Sequence, residues 1–180
     1  MTTWTVLITG CNTGIGLEMA RHCLSLDATL HFTCRSSDKV ITTTRRLRAD
    51  FPRARVEGHV LDLARDSDIQ RLADELDDRG LPIDTLILNA GVHVPFGARE
   101  TAEGVELHRQ VNFLAPARLF VRLVGSGRLE RVLYVSSQAH QRGALPAVFP
   151  LSFWARYARS KLLATTFFLA VRPLFPDVRI

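Results

Sequence analysis

At 180 residues the chain has the length of one compact domain, long enough to bury roughly 70% of its unfolded surface. With 47% hydrophobic and 23% charged residues it falls outside the disordered and fibrous classes. A formal net charge of +5 suits anionic partners. The basic residues are scattered, however, and the densest group (Arg45, Arg46, Arg48) reads as a solvated helix face. No nucleic-acid partner is expected from it; a phosphorylated ligand remains.

Thr5-Val6-Leu7-Ile8 is a continuous apolar run that stops at Gly10, the pattern of a strand buried on both faces. From Gly16 the period becomes helical, with Leu17, Ala20, Cys23 and Leu24 on one side. A second strand is expected over Thr29–Cys34 and a polar helix over Ser37–Ala49. Strand Ala54–Leu61, helix Asp66–Asp78 and strand Thr85–Leu88 follow, with Asp66 or Ser67 as the N-cap of that helix. A fourth helix is expected over Glu106–Leu123, a fifth strand over Arg131–Val135, an irregular loop over Gly143–Pro150 and a fifth helix over Trp154–Val171. Strands alternating with helices imply βαβ units: an α/β fold of the Rossmann type, a doubly wound parallel sheet with helices on both faces. No repeat or linker divides it, so residues 1–180 read as one domain.

Cys11, Cys23 and Cys34 lack the spacing of a zinc site or a disulfide framework, so no metal is expected. A reducing, cytoplasmic setting is the default. No signal peptide is expected before Trp4, and Leu162–Val171 reads as too short to span a membrane.

Thr9 to Gly16 reads T-G-C-N-T-G-I-G between a strand and a helix. Gly10 permits a tight turn, Gly14 lets the backbone approach a pyrophosphate, and Gly16 lets the helix pack on the strand. The helix N-terminus then offers N–H groups to phosphate. Gly10, Asn12, Gly14, Ile15 and Gly16 are therefore candidate nucleotide contacts. After the second strand stand Arg35 and Ser36 in place of an acidic residue. Arg35 can pair a ribose 2′-phosphate and Ser36 can add a donor, which favours NADP(H); Asp38 leaves NAD(H) open. Asp62 and Leu63 end the third strand at the adenine edge, and Asn89, Ala90 and Gly91 end the fourth at the same sheet edge.

Tyr157 and Lys161 lie four apart on the fifth helix and share a face. A phenol is a poor acid–base group at neutral pH, and a nearby ammonium favours its ionised form. One hydroxyl of Ser136-Ser137 can hold a carbonyl oxygen. Asn112 sits among apolar neighbours in the fourth helix, as a satisfied buried amide or as the holder of a water linked to Lys161.

The ordered set T-G-C-N-T-G-I-G, L-N-A-G, V-N-F-L, Y-V-S-S and Y-A-R-S-K resembles the short-chain dehydrogenase/reductase family over nearly the whole chain. The wording of C-N-T-G-I-G, T-C-R and V-N-F-L-A-P is similar to its retinol-dehydrogenase-like branch and to fungal biosynthetic reductases. The resemblance implies hydride transfer between NADP(H) and a carbonyl or alcohol substrate. Its tetrad would be Asn112, Ser137, Tyr157 and Lys161, with the second serine of the pair in the role. Tyr157 and Lys161 would also meet the cofactor, and Gly10, Ile15, Gly16, Arg35, Asp62 and Asn89 would hold the nucleotide. It further implies a homodimer through the fourth and fifth helices, whose Phe113, Phe120, Phe167 and Phe168 otherwise simply cover the sheet. Family members usually continue into a sixth strand, a substrate-covering helix and a seventh strand, whereas this chain stops at Val178-Arg179-Ile180. The alternative expectation is thus a short, weakly active or inactive nucleotide-binding member that acts through a partner.

Overall fold

The computed structural model describes residues 4–95, 100–145 and 152–180. Five parallel strands, β1 (Thr5–Thr9), β2 (Thr29–Cys34), β3 (Val56–Val60), β4 (Thr85–Leu88) and β5 (Arg131–Tyr134), form a sheet of order β3-β2-β1-β4-β5. The strand order reverses between β1 and β4, which opens a crevice at their carboxyl ends. Helices α1 (Gly14–Ser25) and α2 (Ser37–Asp50) pack on one face through Leu17, Ala20, Leu24 and Leu47, against Val6, Ile8, Leu30 and Phe32. On the other face α3 (Asp66–Asp78) sets Ile69, Leu72 and Leu76 against Leu7, Leu86 and Leu88. Period 3.6 in the helices meets period 2 in the strands, so each face buries its own apolar set.

The expected fourth helix is broken into three. It is a single turn α4 (Leu107–Arg109), a π-helical turn (Gln110–Leu114) and α5 (Ala115–Val124). Pro116 has no N–H to give the carbonyl of Asn112 four residues back, so the α ladder fails there. The Tyr134 hydroxyl donates to that carbonyl at 3.3 Å instead. Glu106 stands outside the helix as its cap and accepts from the N–H groups of His108 and Arg109.

The expected cap of α3 is also corrected. Arg65 is its N-cap without a side-chain bond, and Asp66 is already helical. A turn closed by Arg65 N–H on the Asp62 carbonyl brings the chain into the helix one residue early. Asp66 and Asp68 then lie in the first turn, where the helix dipole favours carboxylates.

Helix α6 (Phe153–Val171) closes the second face, where Phe168 meets the Phe120 ring. At the chain's end Arg179 bridges Arg131 in parallel, so Val178–Ile180 runs beside β5 as the first residues of a sixth strand would. The Pro146–Pro150 part of the expected irregular loop lies outside the described residues. Among the described residues, no helix is long and apolar enough to cross a membrane.

Candidate active site

The carboxyl ends of β1 and β4 are joined by side chains. Thr9 Oγ1 accepts from the N–H groups of Asn89 and Ala90, both at 3.1 Å, and donates to the Ile87 carbonyl. Asn89 Nδ2 in turn donates to the carbonyls of Thr9 and Gly10 at 3.0 Å each. Gly10 adopts φ +74°, a conformation that other L-residues resist. A Cβ at Gly16 would fall on the Gly10 carbonyl and on Asn89 Nδ2, so only glycine lets α1 start this close to the strand.

Above this clamp lies a cleft of about 490 Å³. Its walls include Gly10, Asn12, Ile15, Gly16, Arg35, Asp62, Leu63, Asn89, Ala90 and Gly91, all candidates from the sequence. Four candidates fall outside the lining: Gly14, Ser36, and Tyr157 and Lys161 on α6. Ser36 is the N-cap residue of α2 and does not line the cleft, and Gly14, exposed at φ +59°, stands outside the lining. The lysine one helical turn beyond Arg35 takes the place expected of Ser36: Lys39 lines the wall. Neither Arg35 nor Lys39 makes an ion pair among the described residues. The sequence did not single out Lys39, because Asp38 in the same first turn already supplies a negative charge beside it. Asp62 Oδ1 accepts from Ala64 N–H at 3.0 Å, which shapes the turn at the cleft's far edge.

Past Gly91 the site continues toward α6. A Cβ on Gly91 would lie 3.2 Å from Asn112 Oδ1 and 3.6 Å from Lys161 Nζ, so these two side chains converge on one point of the backbone. Asn112 is fully buried and fully engaged. Its Oδ1 accepts from Val92 N–H at 2.7 Å, while its Nδ2 donates to the Val92 carbonyl and to Ser160 Oγ. The amide thus latches the π-helical turn to the loop after β4 and to α6.

Lys161 Nζ donates to the Val135 carbonyl at 2.9 Å and lies 5.0 Å from the centre of the Tyr134 ring. Burial lowers its pKa from 10.5 to about 8. Tyr134 is pushed the other way, above its ordinary value, by burial first and then by the neighbouring Tyr157. Tyr157 is half-buried, and its ring meets His93 at 4.7 Å and His108 at 6.2 Å between centroids. Its hydroxyl makes no hydrogen bond among the described residues. His93 also stacks against Phe153 and Trp154, giving this end of the site an aromatic mouth that sequence reasoning missed.

The serine pair divides its work. Ser136 Oγ is hydrogen-bonded to Thr165 Oγ1 at 2.7 Å and approaches His140 Nδ1. Ser137 Oγ accepts from Ala139 N–H, which leaves its own O–H to donate.

The profile of the short chain dehydrogenase family matches residues 4–172. The chain belongs to that family. It is 36% identical over 159 residues to retinol dehydrogenase 12 of Homo sapiens, covering 86% of this chain and 49% of that protein. With polyprenol dehydrogenase of Danio rerio it shares 30% over 169 residues, 87% of this chain and 52% of that one. The chain therefore spans about half the length of these curated relatives. A short-chain dehydrogenase of Sphingobium yanoikuyae, solved in complex with NADPH, superposes with a TM-score of 0.76 at 27% identity, covering 97% of this chain and 67% of that one.

Proposed function

We propose that this short-chain dehydrogenase moves a hydride between NADP(H) and a carbonyl or alcohol, with Tyr157 as proton donor and acceptor. The observation that carries the reading is the convergence of the nucleotide-shaped cleft and Lys161 on Gly91. The cleft fits a dinucleotide on its own chemistry: backbone close to the glycine turn, apolar walls at Leu63 and Val111, and two cations without carboxylate partners. Bound NADPH supplies the hydride.

Arg35 and Lys39 hold the 2′-phosphate by charge-assisted hydrogen bonds, which discriminates against NAD(H). Ser137 donates its O–H to the substrate oxygen and positions it. Tyr157 gives that oxygen the proton in reduction and takes it back in oxidation. Lys161 stabilises the charge left on the phenol oxygen, and Asn112 keeps α6 and the loop after β4 in register while this happens.

The relatives named for retinol and polyprenol act on apolar alcohols, and the aromatic mouth of His93, Phe153 and Trp154 supports an apolar isoprenoid substrate here. Three buried free cysteines suit a reducing compartment such as the cytoplasm. A homodimer through α5 and α6 is supported by the groove in which half-buried Phe113 and Phe167 meet exposed Val121; light scattering of Val121→Asp against the parent tests it. One nucleotide-binding domain accounts for the whole sheet.

The direct test is calorimetric titration with NADPH and NADH, followed by NADPH oxidation with retinaldehyde and smaller carbonyls. Tighter binding of NADPH and measurable turnover are expected. NADPH binding without turnover on any carbonyl would favour the inactive, partner-dependent reading.

A further inference from the structure

Away from the cleft, on the α3 face of the sheet, β2 and β3 carry two buried histidines. His31 and His59 are 4% and 5% exposed, and His31 Nδ1 lies 3.1 Å from His59 Nε2. His31 pairs with Glu57 across the two strands, and Glu57 and His59 alternate on one strand, so all three side chains share a face. The ligand atoms of His31, Glu57 and His59 lie within 4.8 Å of one another, with Glu57 Oε2 3.9 Å from His31 Nδ1. A tetrahedral zinc with bonds of about 2.1 Å sets its ligand atoms about 3.4 Å apart. His31 and His59 already stand near that spacing, while Glu57, within 4.8 Å of both, must close by up to about 1.4 Å, a movement its side-chain torsions supply.

The surroundings are also those of a metal site. His59 turns its other nitrogen, Nδ1, to Glu75 Oε1 at 3.2 Å. That hydrogen bond would put the proton on Nδ1 and leave the Nε2 lone pair facing His31. A carboxylate behind a ligating imidazole is the usual way in which tautomer and ring orientation are fixed at a metal. Arg79 grips Glu57 at 2.5 and 3.0 Å, yet a carboxylate has lone pairs enough for both a guanidinium and a metal. His31 reaches a groove at the amino ends of the strands, which gives an ion a way in.

We propose that His31, His59 and Glu57 bind a divalent cation of the zinc class, with Glu75 orienting His59 from behind. Two imidazoles and one carboxylate suit zinc better than the all-oxygen cations calcium and magnesium. The ion clasps the edge strand β3 to β2 and, through Glu75, to α3. It sits apart from the cleft, so the inference stands or falls independently of the proposed reaction.

The test is to strip the purified protein with chelator, titrate it with ZnCl2 by calorimetry, and locate the ion by anomalous scattering at the zinc edge. One zinc per chain is expected, with its anomalous peak about 2.0–2.2 Å from His31 Nδ1, His59 Nε2 and a Glu57 oxygen. Glu75→Gln should weaken zinc binding about 10- to 100-fold. Arg79→Gln should tighten it, because it frees Glu57 and removes a positive charge; a mere hydrogen-bond network would show no such gain. His59→Gln should abolish zinc binding; if that variant proves unstable, Glu57→Gln, only part-buried, carries the comparison and should cost at least about tenfold. A peak on the cysteines or elsewhere, no binding at all, or equal affinity in parent and Glu57→Gln would overturn the proposal.

Discussion

At the ends of β1 and β4 the site is held by backbone and short side chains: Thr9 and Asn89 tie two strands together, and Gly16 brings α1 against them. A few ångströms on, the Tyr157 side is assembled from three separate stretches: Asn112 in the π-helical turn, Val135 after β5, and Lys161 on α6. The first region is rigid because any larger atom collides with it. The second is held by buried polar groups, which are costly when left unpaired. The contrast predicts different costs of mutation: the glycine turn should lose fold and binding together, while the Tyr157 side should lose chemistry with little loss of stability.

Lys161→Met should break that comparison most strongly. Turnover should fall at least about 100-fold, because the cation proposed to stabilise the Tyr157 phenolate is gone. Yet stability near neutral pH should hardly fall, because relief from burying the ammonium offsets the Val135 carbonyl left without its donor. The drop from 10.5 to about 8 corresponds to about 3 kcal/mol at most for burying the ammonium. Between about pH 8 and 10.5 the unfolded chain keeps a proton that the folded chain has released, so stability rises with pH across that window. Below about pH 8 both states are protonated and the whole cost is present. Urea unfolding at about pH 7 and about pH 10 should show this rise in the parent and not in Lys161→Met.

Gly16→Ala probes the other region and should cost about 1–3 kcal/mol with NADPH binding lost alongside, read by denaturation and calorimetry. A smaller effect is expected at the cleft's rim, where Arg35→Ala together with Lys39→Ala should erase about 10- to 100-fold of preference for NADPH over NADH and leave the melting temperature unchanged. Ser36→Ala should change NADPH affinity by no more than about twofold, since Ser36 stands outside the lining.

Much of the cleft was legible in the sequence because its requirements are local. A strand, a glycine turn and a helix follow one another within Thr5–Ser25, and the steric demands at Gly10 and Gly16 act on the nearest backbone. The helix expected over Glu106–Leu123 concealed its π-helical turn, since the consequence of Pro116 depends on Tyr134 waiting 22 residues away from Asn112 to take the freed carbonyl. Asn112 stands out in the sequence as a polar residue among apolar neighbours, but its partners Val92 and Ser160 come from elements far apart in the chain. The His31–His59 pair was invisible for the same reason: the spacing of 28 residues means nothing until the register of β2 on β3 is known.

Tyr157 is the proposed proton-transfer group beside a nucleotide cleft, and Tyr157→Phe tests that most directly. With the hydroxyl removed and the ring retained, NADPH affinity measured by calorimetry should stay within about threefold of the parent. Single-turnover oxidation of NADPH in the presence of a reducible aldehyde should slow by about 10²–10⁴-fold. A Tyr157→Phe protein that oxidises NADPH at the parent's rate would contradict the account.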